Sequence, residues 1–374
     1  MIELGSKVRH PNGPRPGSRL TALCFGFVAA LLAACTSPGG SGGASAVASK
    51  CTPAESPVVN VAAYSNVYDA YGKLTSTFAS EWKDSHDGQQ VIFSMSFGGS
   101  TTQAQNVVNG FPADVVALSL DPDVEIVKQA GLITNDWQAD PDHGYVGTSA
   151  VVFDVRPGNP KHIENWNDLT QPGLQILTPD PAQSGGAKWN IVAAYGASMR
   201  GHVPGYAKGS TADAQRLLTG VFKNVTVMDK SANDSLKNFE SGNGDVAINY
   251  EYAVLAAQKA GGSDQMVIPP STVAVQTPVA VVDANAQKHC VEDIANQFVA
   301  WLHTKEAKEI FDTVGYERPV DIQAAQAGKG METKFQPIHD LFTTDDLGGW
   351  DPLIDDTVFG PNGAFTNAQA AAQG

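Results

Sequence analysis

Apolar residues recur along this chain in two alternating rhythms. Val58-Val59-Asn60-Val61-Ala62-Ala63-Tyr64 is a short apolar run that reads as a strand. Tyr68, Tyr71, Thr75, Phe78 and Trp82 follow it at helical spacing. Between Val91 and Phe97 the alternation of Phe93, Met95 and Phe97 predicts a second strand. Gly98-Gly99-Ser100 breaks it, and Ala104, Val107 and Val108 start the next helix. Asp114 to Leu118 is a further buried strand, and Val124, Val127 and Ala130 belong to the helix after it. This strand–helix order predicts an α/β fold with a mostly parallel sheet and helices on both faces.

The alternation then restarts. Thr148 to Val155 is a long strand, followed by the loop Arg156-Pro157-Gly158-Asn159-Pro160-Lys161. Gln175 to Thr178 is a strand and Gly186 to Met199 a helix; Ala214, Leu217, Leu218, Val221 and Phe222 mark another helix. Val225 to Met228, Asp245 to Tyr250 and Val279 to Val282 are strands. Val291, Ile294, Ala295, Phe298 and Leu302 give a helix of strong periodicity. The pattern predicts two α/β lobes, with the chain crossing between them more than once. Beyond about Gly328 the chain is Gly-rich and polar, and periodicity does not place it.

Three strand-to-helix turns share one design: Tyr64-Ser65-Asn66, Gly98-Gly99-Ser100, and Gln183-Ser184-Gly185-Gly186. Ser and Asn are preferred at the helix N-cap, the first turn leaves N–H donors unpaired, and the macrodipole places positive charge there. Gly lets a backbone approach a ligand closely. Such termini at the carboxyl ends of strands suit an anion held in a cleft. The alternative is that Ser caps these helices for stability alone. Catalytic motifs are scarce. Gly98-Gly99-Ser100-Thr101-Thr102 lacks the last Gly of a nucleophile elbow. No phosphate-binding loop, H-E-x-x-H or C-x-x-C run occurs, and the eight His stand at no metal-ligand spacing. The expectation is therefore no cofactor, no metal and no catalysis; an exported hydrolase is the competing class.

Charge and the N-terminus narrow the setting. The 374 residues carry 24 Lys and Arg against 39 Asp and Glu, a formal charge of -15. That argues against a nucleic-acid or anionic-membrane surface, though not against one anion in a site governed by local dipoles. Lys7, Arg9, Arg15 and Arg19 precede the apolar run Leu20 to Ala34, which is too short for a mature span and reads as a secretory signal. The run ends Leu32-Ala33-Ala34-Cys35, which resembles a bacterial lipobox with Cys35 as the lipidated first residue. A plain signal peptide ending near a Cys is the alternative. The Gly- and Ser-rich stretch from Thr36 to Ser45 has the composition of a tether. Removing residues 1–34 takes four bases and Glu3, which leaves 20 of the 24 bases and 38 of the 39 acids, a charge of −18. Cys51 and Cys290 then remain in an oxidising compartment, either bridged or as two separate thiols.

At this point the residues resemble a known family. Gly110 to Lys308 is similar to the periplasmic sulfate-binding proteins of sulfate/thiosulfate ABC importers, and the likeness extends more thinly from Val58 to Gly349. It rests on Phe97-Gly98-Gly99-Ser100, Val108-Asn109-Gly110-Phe111-Pro112-Ala113-Asp114 and the Arg156 to Lys161 loop. Trp166-Asn167-Asp168-Leu169, Gln183 to Asn190, Leu217 to Asp229 and Gly349-Trp350 continue it, in order and spacing.

The resemblance implies a two-lobed periplasmic-binding-protein-like fold with a hinge and a central cleft. It also implies a dehydrated sulfate held by neutral donors. Carried over, those donors are Ser65, the Ser100 hydroxyl, Ser184, Gly185, Gly186 and Ala232, with Tyr250 where the family has a Trp. Ser65 stands where the family has Asp, and Asp234, close to Ala232, would repel a dianion unless it is paired or turned to solvent. Thiosulfate, molybdate and phosphate remain open as ligands.

Together these readings divide the chain into residues 1–34 as signal peptide and 35–57 as lipidated Cys and tether. Residues 58–147 with 283–345 form lobe one, 148–282 lobe two, and 346–374 a tail of unassigned place. The expected protein is a monomer on the outer face of the cell membrane, held there by lipid only. It would bind no nucleic acid and would deliver sulfate to ABC importer permease subunits.

Overall fold

Strand β1, Val58–Tyr64, is buried along nearly its whole length, so its one polar residue, Asn60, needs internal partners. The Asn60 N–H and side-chain amide both donate to Asp114, whose other oxygen meets His289 Nδ1 at 2.6 Å. The computed structural model describes residues 51–52 and 54–373. The expected signal peptide, the Cys35 lipidation site and most of the tether lie outside the described residues.

Helix α1, Tyr68–Ser85, buries Tyr71, Leu74, Thr75, Phe78 and Trp82 on one face, but Tyr68, which the spacing puts on that face, is exposed at the helix start. Strand β2 is Ile92–Gly98, helix α2 Ser100–Val108, strand β3 Val115–Ala117 and helix α3 Asp121–Gln129. Two eleven-residue strands follow in different parts of the sequence, β4 at Tyr145–Val155 and, after an intervening α/β segment, β9 at Ser271–Val281. Between them lie β5, Ile176–Pro179; α4, Gly185–Met199; α5, Thr211–Lys223; and β6, Val225–Asp229. Next come α6, Ala232–Glu240; β7, Val246–Tyr250; α7, Glu251–Lys259; and β8, Gln265–Val267. After β9 come α8, Asp283–Lys288; α9, Glu292–Trp301; α10, Lys305–Thr313; and α11, Ile322–Gln326. The chain ends with β10, Asp340–Phe342; α12, Trp350–Pro352; and α13, Ala364–Gln373.

The strand order is β2-β1-β3-β9-β4-β7-β5-β6, with β10 beside β9 and β8 beside β4. β4 and β9 pair with each other and run on into both halves of this array. β9 pairs β3 at its carboxyl end, and β4 pairs β7 at its own. A third crossing is made by the bridge between Thr148 and Arg318. The two-part α/β architecture is as expected. The sheet is mixed: β1 with β2 and β3, β5 with β6 and β7, and β10 with β9 are parallel, as expected, but β3 with β9, and β4 with β7, β8 and β9, are antiparallel. Strands that pass between the halves run against the parallel set in each half, and residue spacing carries no such information.

Helix α4 is buried on nearly every side, so it reads as apolar all round rather than as a stripe. A methyl group at Gly196 would stand 2.3 Å from the Phe342 ring, so this helix accepts β10 only through a glycine. The Gly-rich tail packs against the same half. Trp350 meets Trp189 with ring centroids 4.7 Å apart, Phe365 meets Phe222 at 4.9 Å, and Arg200 clasps Asp340. Ala325, Ile338 and Leu341 cluster with Ala150, Val152, Val254 and Ala274. Ala325, Ile338 and Leu341, in the stretch expected to return to the first lobe, thus pack with the second, while Glu332 and Thr333 donate to Asp312 of α10; apolar positions here are too sparse to announce a face. At the other end Cys51 and Cys290 are joined, with Cα atoms 5.2 Å apart. No helix among the described residues is long and apolar enough to cross a membrane.

Candidate ligand-binding site

The first turns of helices α2, α4 and α6 and the N-cap of α7 converge, with the turn after β1, on one small cavity of about 10 Å³. Its wall is made by cap and first-turn residues: Ser65 and Asn66 after β1, Gly99 and Ser100, Ser184 and Gly186, Ser231 and Ala232, and Tyr250. Tyr64, Gly98 and Ser119 complete it. None of these side chains carries a charge. The space is well below the roughly 300–1,000 Å³ of sites for drug-sized ligands, so the occupant is a small polyatomic species.

Side-chain capping is present at some helix starts and absent at others, α1, α3, α8 and α9 among them. Ser210, Ser231, Thr304 and Asp321 each accept a hydrogen bond from an N–H in the first turn of their own helix. Ser184, at the N-cap of α4, does not, and neither do Gly99 and Tyr250 at α2 and α7. The N–H groups of Ser100, Gly185, Gly186 and Ala232 enter no backbone bond outside their helices. First-turn donors without acceptors, at the positive ends of several helix dipoles, suit an anion.

Six of the seven residues expected from sequence line the cavity: Ser65, Ser100, Ser184, Gly186, Ala232 and Tyr250. Gly185 does not; it lies against Leu120 and Ser119, and a Cβ there would stand 2.0 Å from the Leu120 side chain. Its part in the arrangement is close approach plus an N–H. Ser100 differs from expectation in its hydroxyl, which donates to Asp123 at 2.5 Å and accepts the Ser119 N–H at 3.0 Å. That proton is committed, which leaves Ser100 its backbone N–H. The Tyr250 hydroxyl is 1 % exposed as a residue and has no partner in the protein. Burial pushes its phenol well above the ordinary range, and the nearby Asp123 carboxyl adds to this, so it is a neutral hydroxyl at any physiological pH. Asp234, the expected source of repulsion, accepts from the Ser231 hydroxyl at 2.7 Å and faces an outer groove, exposed.

Two polar groups at the wall were not legible as site residues in the sequence. The Asn66 amide nitrogen and the Ser119 hydroxyl are buried without partners. Asn66 stands in the Tyr64-Ser65-Asn66 turn but Ser119 in no such turn, and lack of a partner is a property only of the folded arrangement.

Both halves of the sheet meet around the cavity. The Thr102 N–H donates to the Gln183 carbonyl at 3.1 Å, and Trp189 Nε1 donates to the Ser119 carbonyl at 2.5 Å. Lys188, one turn into α4, donates to Thr101 at 2.7 Å and stands 3.8 Å from buried Asp123. Burial raises the Asp123 carboxyl, while Lys188 and the Ser100 and Thr101 hydroxyls oppose that rise. A Cβ at Gly99 would come 2.4 Å from the Gln183 carbonyl and 2.8 Å from that of Lys230, so only glycine permits this approach.

Known proteins resemble this chain in sequence and fold. The family of bacterial extracellular solute-binding proteins matches residues 59–317. A sulfate-binding protein of Synechococcus elongatus is 37% identical over 317 residues, 84% of this chain and 87% of the relative. One of Escherichia coli is 37% identical over 292 residues, 77% of this chain and 85% of the relative. The solved structure of the sulfate-binding protein SubI from Mycobacterium tuberculosis H37Rv superposes with a TM-score of 0.69 at 31% identity, covering 81% of this chain and 99% of that one. Two lobes of mixed sheet closing on a donor-lined cavity, with this likeness over most of the length, place the chain among the bacterial extracellular solute-binding proteins, in the family of the sulfate-binding proteins.

Proposed function

We propose that this protein binds sulfate outside the cell membrane and hands it to the permease of an ABC importer. The observation that carries the reading is the uncharged cavity at four helix N-termini, three of which have no side-chain cap on their first-turn donors. Sulfate bears no proton at neutral pH, so each of its oxygens only accepts. Donors are the N–H groups of Ser65, Ser100, Gly185, Gly186 and Ala232 and the hydroxyls of Ser184 and Tyr250. A protonated phosphate also presents an O–H, and a wall of donors leaves that proton without an acceptor, a cost of about 1–3 kcal/mol. Equilibrium dialysis against labelled sulfate tests this reading: saturable binding at one site per chain is expected, and none at millimolar sulfate would overturn it.

One observation favours a second reading. The Tyr250 and Ser119 hydroxyls can accept as well as donate, and both lack partners. They would admit a protonated oxyanion such as phosphate, which thereby becomes the alternative ligand. Catalysis forms no part of the proposal. Turnover of phosphate or sulfate esters, abolished by Ser184→Ala, would favour a hydrolase instead. Membrane attachment runs through lipid on Cys35. Metabolic labelling with a fatty acid should mark the wild type and not Cys35→Ala; equal labelling of both would rule it out.

A further inference from the structure

Asn66 occupies the middle of the short turn Ser65–Val67 that follows β1, where it lines both the small cavity and the larger groove beside it. Its side-chain oxygen accepts the Ser65 hydroxyl at 3.1 Å. That bond has two consequences. It commits the Ser65 proton, so the Ser65 hydroxyl is not free to donate into the cavity. It also orients the Asn66 amide, whose NH₂ group is buried and finds no partner in the protein. A buried donor without an acceptor is unfavourable and rare in folded proteins, and one in a cavity wall has an evident partner in whatever fills that cavity.

We infer that the Asn66 side-chain amide is a direct ligand donor that sets the anion preference of this site, an inference that rests on the oxyanion reading given above. The amide presents only N–H to the cavity because its oxygen is engaged by Ser65. It therefore adds a neutral donor and no acceptor, which strengthens binding of an unprotonated oxyanion relative to a protonated one. No charge is introduced, in keeping with the rest of the wall.

Calorimetric titration of the detergent-solubilised protein with sulfate, for wild type, Asn66→Ala, Asn66→Asp and Ser65→Ala with and without Asn66→Ala, tests the inference. Asn66→Ala should weaken sulfate at least about tenfold, as loss of a hydrogen bond to a charged ligand does. The ligand-free melting temperature should be unchanged or raised, because an unpartnered buried group is removed. Asn66→Asp should abolish binding by placing a carboxylate against the anion. The Asn66→Ala penalty should persist in the Ser65→Ala background. A penalty that vanishes there would mean Asn66 only positions Ser65, and sulfate affinity within twofold of wild type in Asn66→Ala would also overturn the inference. Failure of the wild type itself to bind sulfate would instead remove the reading of the site on which the inference depends.

Discussion

A methyl group added at Gly186 would stand 3.1 Å from the Ala232 Cβ, 3.2 Å from the Tyr250 hydroxyl and 3.3 Å from Ser184 Oγ, inside the space the ligand needs. Gly186 has helical backbone, where Ala is the better residue by about 1 kcal/mol. Gly186→Ala should therefore leave thermal stability nearly unchanged and reduce sulfate affinity by at least about tenfold, in line with the roughly 1–3 kcal/mol cost of overfilling a packed space. Titration beside a melting curve checks both halves of the statement. Glu317 is the other residue whose surroundings set its behaviour. It is buried beside Gly147 where the chain crosses between the halves, and among the described residues its carboxyl accepts only from the Thr277 hydroxyl, at 3.4 Å. Burial raises its carboxyl to about 8, with the Thr277 bond opposing. The folded protein thus keeps this proton while the unfolded chain loses it near the ordinary Glu value, about 4.3. Between those values the folded state binds more protons, so this residue makes stability fall as pH rises, by an amount on the order of a few kcal/mol. Glu317→Gln should raise the melting temperature at pH about 8 and have little effect near pH 4. Equal effects at both pH values would contradict the assignment.

At the scale of elements, two serines at helix starts separate capping from binding. Ser231 accepts from the Asp234 N–H and caps α6; Ser184 stands in the same place on α4 and caps nothing. Ser231→Ala should destabilise the protein by about 1 kcal/mol. Ser184→Ala should leave stability unchanged and weaken sulfate binding, as measured by denaturant unfolding and titration on the same samples. Similar destabilisation by both would mean that Ser184 is an ordinary cap. Helices with a full apolar stripe, such as α1 and α5, were legible from spacing, and so were the Gly- and Ser-bearing turns before α2 and α4. Helices α6 and α7 were not. Of α6 only Ala232, Ser235, Leu236 and Phe239 are buried, and α7 starts directly at the end of β7. Strand β9 starts at Ser271, eight residues before the expected Val279, because Gln276, Thr277 and Pro278 interrupt its apolar pattern. Pro278 is tolerated where the pairing with β4 shifts register, between Tyr145 and Gly147. Ala232 and Tyr250 entered the expected site only through family resemblance, since nothing in their local sequence announces a donor.

For the whole molecule, closure brings neutral donors from both halves around one space, while the surface carries the acidic charge. An anion held there by dipoles that do not titrate and are shielded from bulk salt would bind with weak dependence on ionic strength. The Cys51–Cys290 link ties the start of the described chain to the segment after α8 across 239 residues. Closing a loop of this length contributes about 2–4 kcal/mol. Peptide mapping without reductant should recover the joined pair; free alkylation of both thiols would exclude it. The central claim, that neutral donors select an unprotonated oxyanion, is tested most directly by calorimetric titration with sulfate and phosphate across about pH 5 to 8, where histidine titrates and no cavity residue does. Sulfate affinity should stay nearly flat over that range and exceed phosphate affinity throughout. Tighter binding of phosphate than of sulfate would contradict the account and point to Tyr250 and Ser119 as acceptors.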